Sequence, residues 1–396
     1  MKNIFFHLVL IIVLGLNSCT LFNRFTSNDE MEQKDFLVYL IDESPEQRQL
    51  IYYDPVSNLN TQILSDWDIQ EFSLSKNYRL AFSSLKDGQS KIYVLDYPFT
   101  ENTPTEISLD ISFESTPLSW SPDGRYLLLD SVQKNSKKLY MWDGKNIFDV
   151  YEYRGQISEV AWSSSGQLTF TEFYIDDYSP DKDYSEIYIW DGISTLNASQ
   201  NPFGEDRSPT WSQSGQLAFL SNRNEKYDIL VWDGMSKNNS APDSKTFVNI
   251  APELTQYFSN PIWTNSDSIA FSGGSESDLH AQIYEWDGQT AKNISQNPSF
   301  HNGGQTWRND GYWSFITFFS SEQNLYIRDN INQTVLETKG QYRPAWSNNG
   351  VLAFCVPEYP NWALSIWSGK NAVEVAHGNF IVAKWNNGEY VFCSNG

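Results

Sequence analysis

The hydrophobic and polar positions of this chain follow one pattern that recurs along its length. The fullest copy is "WSPDGRYLLL" at Trp120–Leu129, where a Trp is followed by a polar turn with Asp and Gly and then by an apolar run. The pattern returns with Trp at positions 162, 211, 263, 307, 346 and 385, which are 39 to 52 residues apart, and a degenerate copy begins at Leu74. A repeat of this size built from strand-like units predicts a β-propeller.

A second motif, an alternating strand that ends in Trp-Asp-Gly, defines the other half of each unit. It reads "LYMWDG" at Leu139–Gly144 and "ILVWDG" at Ile229–Gly234, and weaker versions occur in other units. Asp-Gly is typical of two-residue hairpin turns, because glycine readily adopts the positive φ that these turns need. Each unit is therefore predicted to be a four-stranded blade, with strands A and B around the first turn and strands C and D around the second.

The two ends of the chain each lack part of a unit. Phe36–Ile41, Leu50–Tyr53 and Thr61–Leu64 are strand-like but have no Trp turn, whereas only two strands fit after Trp385. We therefore expect the N-terminal strands to complete the C-terminal pair in one shared blade, which closes the ring. The predicted fold is all-β, a single propeller over residues 36–396 with eight blades, or seven if the Leu74 copy starts no blade.

The first residues are typical of a bacterial lipoprotein signal. The apolar run Ile4–Leu16 is too short to span a membrane, and it leads into "LNSC" at Leu16–Cys19, which resembles the lipobox. The resemblance implies a signal peptide at residues 1–18, lipidation of Cys19 and a flexible tether over residues 19–35. An ordinary cleaved secretory peptide is the alternative. We expect a protein of the bacterial cell envelope, facing the periplasm or the exterior, that contacts the membrane through its lipid anchor only.

Composition and cysteine usage add further expectations. The formal net charge of −22 disfavours binding to nucleic acid, and the 15% aromatic content suits a propeller whose blades pack through rings. Cys355 and Cys393 occupy equivalent positions of predicted B strands in neighbouring blades, which should separate them by more than a disulfide spans. We therefore expect two buried thiols rather than a bond. The protein is expected to be a monomer.

The repeat carries a family resemblance. "WSPDGRYLLL" followed by "LYMWDG" resembles the WD-repeat-like units of TolB-like propellers, which occur in periplasmic TolB and in the propeller domains of prolyl oligopeptidase relatives. The resemblance covers nearly the whole chain after residue 35 and implies the fold, since the motif consists of turn and packing residues. The small domain that precedes the propeller in TolB has no counterpart here, so we do not expect TolB's role in the Tol complex.

The expected binding surface is the face formed by the B–C and D–A connections, which the sequence makes longer and more varied than the A–B and C–D turns. The aromatic and basic candidates on this face are Phe173, Tyr174, Tyr178, Tyr184, Arg207, His301, Arg343, Tyr359 and Trp362. The alternative is that most of them pack the loops against the blades. A calcium ion is the one metal for which the sequence offers candidate ligands, Asp176, Asp177, Asp181 and Asp183. The segment lacks the loop spacing of an EF-hand, and a charged loop that faces solvent is the favoured interpretation.

These observations favour a non-catalytic scaffold. The expected ligand is an envelope protein, a peptide or a glycan, bound without a cofactor. The alternative is a propeller enzyme, a hydrolase or lyase acting on a saccharide, with carboxylates at the channel mouth. No G-x-S-x-G motif occurs, which argues against a peptidase, and the sequence singles out no catalytic residue.

Overall fold

The computed structural model contains eight antiparallel sheets, seven of four strands and one of five, arranged as the blades of a propeller. It describes residues 35–394 apart from positions 45–46, 87–88, 108–118, 134–135, 175–183, 203, 225, 233–246, 255–259, 265, 276–277, 279, 309, 320–321, 330, 332, 340 and 388. The eight-bladed all-β fold predicted from the repeats is confirmed. The predicted signal peptide, Cys19 and most of the tether lie outside the described residues. Within the described chain, no helix is long and apolar enough to cross a bilayer.

The strands follow in chain order. The first three belong to blade 8 and are β1 (Leu37–Ser44), β2 (Gln47–Asp54) and β3 (Leu59–Ile63). Blades 1 to 3 contain β4 (Ile69–Leu74), β5 (Arg79–Lys86), β6 (Gln89–Asp96), β7 (Thr105–Glu106), β8 (Ser119–Trp120), β9 (Leu127–Gln133), β10 (Ser136–Trp142), β11 (Ile147–Tyr153), β12 (Gln156–Trp162), β13 (Leu168–Tyr174), β14 (Tyr184–Trp190) and β15 (Thr195–Asn197).

Blades 4 to 7 contain β16 (Asp206–Trp211), β17 (Leu217–Ser221), β18 (Asp228–Trp232), β19 (Val248–Asn249), β20 (Ile262–Trp263), β21 (Ile269–Gly273), β22 (Gln282–Trp286), β23 (Ala291–Asn293), β24 (His301–Trp307), β25 (Trp313–Phe319), β26 (Glu322–Arg328), β27 (Thr334–Lys339), β28 (Gln341–Trp346), β29 (Leu352–Glu358), β30 (Asn361–Trp367) and β31 (Ala372–Gly378). Blade 8 is completed by β32 (Phe380–Trp385) and β33 (Tyr390–Ser394).

The repeated Trp at the end of strand A links neighbouring blades. The indole N–H of Trp211 donates to Thr169 Oγ1 of the preceding blade at 3.1 Å, and that of Trp385 donates to the Ala345 carbonyl at 3.0 Å. Each indole thus buries a large apolar ring and also satisfies its one donor across the blade interface. The indole N–H groups of Trp120 and Trp346 have no hydrogen-bond partner in the described structure, so the role that the repeat tryptophans share is the packing of a large ring.

The polar residues of the repeat stabilise its turns. In the first turn, Ser121 Oγ accepts the backbone N–H of Tyr126 at 2.9 Å. In the second turn, Asp143 Oδ1 accepts the backbone N–H groups of Lys145 and Asn146 at 2.9 and 2.6 Å, while Gly144 has φ of +94°. These hydrogen bonds lower the pKa of Asp143. Both sequence signatures are therefore local turn chemistry.

The shared blade closes the ring with one strand more than expected. Its order is β3-β2-β1-β32-β33, and β1 pairs with β32 from Leu37↔Trp385 to Asp42↔Phe380. The N-terminal strands therefore take the B, C and D positions beside β32 in the A position. Because β1 already fills the B position, β33 folds back along the opposite edge of β32 and becomes a fifth, innermost strand.

This arrangement corrects the expectation for the cysteines. Cys355 on β29 and Cys393 on β33 form a disulfide, with Cα atoms 5.6 Å apart. The expectation of two thiols assumed that β33 was the B strand of blade 8, one blade away from its equivalent. As the innermost strand, β33 instead lies against β28 and β29 of blade 7, which brings the two cysteines within bonding distance.

Candidate functional site

A cavity of about 740 Å³ lies between blade 8 and the inner strands of blades 1 to 3. Its walls come from β32 and β33 on one side and from β4, β8 and β12 on the other. The volume falls within the range of small-ligand pockets in proteins, roughly 300 to 1,000 Å³. The cavity is therefore our candidate functional site.

Strand alternation decides which side chains of blade 8 reach this cavity. Residues 381, 383, 385, 391 and 393 point toward blade 7 and are at most 1% exposed. The intervening residues face the cavity, and they are Phe380, Val382, Lys384, Tyr390 and Phe392. Tyr390 and Phe392 remain 58% and 42% exposed although they lie on the innermost strand. The fifth strand thus presents two partly exposed aromatic rings to the cavity, and the Phe392 ring also packs edge-on against Phe380 with ring centres 5.2 Å apart.

Lys384 places an ammonium group in the cavity wall. Its Nζ donates to the Phe72 carbonyl at 2.6 Å and lies 5.2 Å from the centre of the Phe72 ring. Burial lowers the pKa of Lys384 to about 8, because desolvation disfavours the charged amine, and the carboxylate of Glu71 partly opposes this shift. The amine is therefore mostly charged at neutral pH and loses its charge at moderately alkaline pH.

Glu71 supplies the opposite charge from β4. Burial raises the pKa of its carboxyl group, and the nearby Lys384 and Arg48 act against this rise. Arg48, at the rim of the cavity, also pairs with Asp42 at 3.3 Å. The cavity therefore contains an acid and an amine on facing strands, both perturbed by burial, which is a property of many functional sites.

Glu159, the second carboxylate of the cavity wall, is already engaged. Its Oε2 accepts the backbone N–H of Ser208 at 2.7 Å and the Thr171 hydroxyl at 3.0 Å, and its Oε1 accepts the Ser208 hydroxyl at 3.1 Å. Glu159 and Ser208 have φ of +50° and +57°, at bulges where the inner strands lose register with their neighbours. These bonds join blades 3 and 4, so Glu159 has a structural role.

The blade 3 aromatics predicted from sequence surround a buried acid. Tyr174 donates to Glu172 Oε2 at 2.6 Å and stacks on Tyr184 with ring centres 4.4 Å apart. Glu172 is fully buried and also accepts the Tyr151 hydroxyl at 2.9 Å. Phe173 lies in the same strand, β13, and is partly buried. These contacts agree with the alternative in which the aromatics pack the loops.

The other predicted residues are dispersed around the ring. Arg207 lies 4.6 Å from the ring centre of Tyr227, and His301 Nδ1 accepts the backbone N–H of Ala281 at 3.1 Å. Burial and the neighbouring His280 lower the pKa of His301. The backbone of Arg343 lies in β28. Tyr178 and the four calcium candidates, Asp176, Asp177, Asp181 and Asp183, lie outside the described residues. A ligand role for the predicted set stays a prediction.

The two blade 7 candidates do not share a long loop. β29 and β30 continue to a tight turn at Tyr359 and Pro360, where Glu358 pairs with Asn361. Tyr359 is 94% exposed at this turn, whereas Trp362 lies inside β30 and is only 3% exposed. The expectation that Trp362 is a loop-surface aromatic is therefore wrong, because β30 begins at Asn361 and every residue of this strand from Trp362 onward is buried.

Three side chains on blade 7 could hold a metal ion. One ligand atom each of Glu358, Glu374 and His377 lies within 4.8 Å of the others, and Asn361 Nδ2 lies 3.1 Å from His377 Nε2. All three are exposed to solvent. Exposed acidic groups of this kind are common in proteins without a bound ion.

Lys384 and Glu71 were not among the predicted residues. The signal in the sequence is a single charge in each of two inner strands, "FIVAKW" and "IQEFSL". A charged residue on the inner strand of a propeller faces either the channel or the adjacent blade. The sequence does not reveal that these two strands lie close together, since Glu71 and Lys384 are 313 positions apart in the chain.

The similarity of this chain to known proteins is found by comparing structures and not by comparing sequences. No protein-family model and no curated protein matches this sequence. A prolyl endopeptidase aligns at a TM-score of 0.54 and 10% identity over 84% of this chain and 54% of its own. Prolyl oligopeptidase B from Galerina marginata, bound to a 25mer macrocyclization substrate, aligns at a TM-score of 0.55 and 9% identity over 80% of this chain and 55% of its own. TolB from Acinetobacter baumannii aligns at a TM-score of 0.39 and 13% identity over 91% and 67%.

These comparisons correct the expected function. The chain spans about half the length of the two prolyl peptidases, and at this identity the alignments establish the fold. The two structures named above that superpose at a TM-score above 0.5 are peptidases. This finding overturns the interpretation of the chain as a non-catalytic scaffold for a protein, peptide or glycan ligand, and it does not favour the alternative of a saccharide enzyme.

Proposed function

We propose that this chain is a peptidase-type propeller that receives peptides in its central cavity and serves a peptidase catalytic centre. The cavity beside β33 carries the proposal, because it combines two partly exposed aromatic rings with an acid and an amine inside the propeller. Aromatic rings hold peptide side chains at little entropic cost, and charged groups fix the orientation of the chain. The fold shared with prolyl endopeptidases supports the proposal.

Photocrosslinking tests whether peptides enter the cavity. The crosslinking amino acid p-benzoylphenylalanine would replace Gln70, which lines the cavity, and, as the matched control, Tyr359 at the exposed blade 7 turn. The probe is a tryptic digest of serum albumin with peptides below about 2 kDa. We expect peptide adducts at position 70 and none at position 359. Intact albumin, added as a competitor, should reduce the adducts at position 70 only weakly. Adducts at both positions, or at neither, would contradict peptide entry into the cavity.

An activity measurement tests the link to a peptidase. The tagged full chain would be isolated from the cells that produce it, and hydrolysis of benzyloxycarbonyl-Gly-Pro-amidomethylcoumarin would be followed in the isolate. Alanine at both Tyr390 and Phe392 should reduce the rate about tenfold, if the two rings together contribute about 1.4 kcal/mol. Tyr359→Ala should leave it unchanged. Absence of hydrolysis in the wild-type isolate would remove the peptidase part of the proposal.

We further propose that the protein is tethered to the bacterial cell envelope through a lipidated Cys19. The support is the lipobox-like "LNSC" and the disulfide between Cys355 and Cys393, since disulfides persist in oxidising compartments. Metabolic labelling with an alkyne-palmitate should mark the wild type and leave Cys19→Ser unmarked, with the variant released from the membrane fraction. Equal labelling of both would exclude Cys19 as the lipid attachment site.

A further inference from the structure

We propose that the cavity binds a small zwitterion with an apolar side chain, a free α-amino acid or a dipeptide, between Lys384 and Glu71. This proposal deepens the proposed function and rests on it only in using the same cavity. It concerns the chemistry that the two charged side chains recognise.

Lys384 has donors left for a ligand. An ammonium group carries three N–H donors and no acceptor. One of them is used by the Phe72 carbonyl at 2.6 Å, and among the described residues no second acceptor lies within hydrogen-bonding distance of Nζ. Two donors are therefore left for a ligand, and a ligand carboxylate would accept them as charge-assisted bonds.

Glu71 offers the complementary acceptors. Its backbone N–H donates to Ser83 Oγ at 3.2 Å, which fixes the strand, whereas within the described structure its carboxylate receives no side-chain hydrogen bond. An ionised carboxylate has about four acceptor positions, and leaving them empty in a partly buried site costs free energy. A ligand ammonium group would occupy them.

The pairing of charges selects the class of ligand. A ligand with only a carboxylate would be attracted by Lys384 and repelled by Glu71. A ligand with only an ammonium group would be attracted by Glu71 and repelled by Lys384. A zwitterion presents each group with its opposite charge, so both interactions are favourable at once. The Glu159 oxygens take no part, because Ser208 and Thr171 already occupy them.

The apolar part of the ligand would pack against aromatic side chains of the cavity wall. The rings of Tyr390 and Phe392 face the same cavity and keep about half of their surface exposed. Covering such rings with an aromatic or aliphatic side chain removes apolar surface from water, which favours binding. Hydrolysis of a peptide bond by water produces one new carboxylate and one new amine. The smallest products of the proposed peptidase function are therefore zwitterions of this class.

Isothermal titration of the full chain with four matched probes tests the proposal. L-phenylalanine and alanyl-phenylalanine carry both charges, phenylalaninamide lacks the carboxylate, and N-acetyl-phenylalanine lacks the ammonium group. We expect one of the two zwitterions to bind, with the amide and the acetyl compound at least about tenfold weaker. The stronger zwitterion identifies the source as amino acid or dipeptide.

The variants Lys384→Met and Glu71→Gln should each lose at least about tenfold in affinity for that zwitterion. Lys292→Met is the control, because Lys292 pairs with Asp287 at 2.7 Å on an exposed turn. Circular dichroism checks folding, and two variants on different strands guard against one that fails to fold. The proposal is overturned if neither zwitterion binds, if the blocked probes bind as well, or if both folded variants bind like wild type. Zwitterion binding without peptide crosslinking would overturn the proposed function instead.

Discussion

Cys393 on β33 is joined to Cys355 on β29 across the interface between blades 8 and 7, with 5.6 Å between their Cα atoms. The bond holds the strand that carries Tyr390 and Phe392. On its other side, β33 is held by five residue pairs with β32, from Phe380↔Ser394 to Lys384↔Tyr390. The aromatic wall of the cavity is therefore fixed by one covalent link and one hairpin.

Replacing both cysteines by alanine should destabilise the protein. The bond spans 38 residues, for which the chain-entropy estimate is about 4 kcal/mol. The measurement is the thermal unfolding midpoint with and without dithiothreitol. Reductant should lower the midpoint of the wild type and leave that of Cys355→Ala/Cys393→Ala unchanged. A wild type that is insensitive to reductant under unfolding conditions would show that the bond is not formed.

Trp385→Phe should cost more than the same change at a partly exposed tryptophan. The substitution leaves the Ala345 carbonyl without its donor in a fully buried position, at a cost of about 1 to 3 kcal/mol, and adds the loss of ring volume. Trp307→Phe is the comparison, because Trp307 is partly exposed and stacks on Trp313 with ring centres 5.0 Å apart. Urea unfolding of the two variants measures the difference. A larger loss for Trp307→Phe would contradict the linking role of the strand A indole.

Two tyrosines should ionise at a higher pH in the folded protein than in the unfolded chain. Burial, followed by a hydrogen bond to Glu205, raises the pKa of Tyr227 to about 12, and burial with a bond to Glu337 does the same for Tyr326. Since the folded pKa exceeds the unfolded value of 10, their contribution to stability is complete below pH 10 and is lost between pH 10 and 12. Absorbance at 295 nm follows the titration. Tyr227→Phe and Tyr326→Phe should each remove amplitude near pH 12, and loss of amplitude near pH 10 instead would refute these shifts.

Lys384 should react with amine reagents at lower pH than other lysines. Its pKa of about 8 lies below the usual 10.5, so the charged form is disfavoured in the fold, and the resulting cost to stability is present below pH 8 and disappears between pH 8 and 10.5. Competitive acetylation read by mass spectrometry should give a midpoint near pH 8 for Lys384. Lys292, whose pKa is raised by Asp287, serves as the internal control. Identical midpoints would contradict the burial of Lys384 in the cavity wall.

The repeat pattern was sufficient to predict the fold because its marks are local. Ser121 and Asp143 stabilise turns within a few residues of themselves, so their chemistry is visible in a short window of sequence. The blade count and the sharing of blade 8 followed from counting such windows. The pairing of β33 could not be predicted by counting. Either edge of β32 can pair with a strand, and β33 pairs with the edge that β1 does not occupy.

The candidate site was harder to predict for the same reason. Lys384 and Glu71 belong to opposite ends of the chain, and their proximity is a consequence of ring closure. Trp362 was misplaced because an aromatic beside "YPN" looks like a loop residue, although the strand pattern that buries it starts one position earlier. Local sequence thus predicts the blades well, whereas the contents of the cavity depend on contacts between distant blades.

The shared blade also sets an order in time. During synthesis β1 emerges first, and its partner β32 follows only after more than 300 further residues have been added. Until then β1 has an unpaired edge, and a chain that stops before residue 380 keeps that edge permanently open to other strands. We therefore infer that this ring closes as one of the last events of folding, and that incomplete chains are at risk of aggregation through β1.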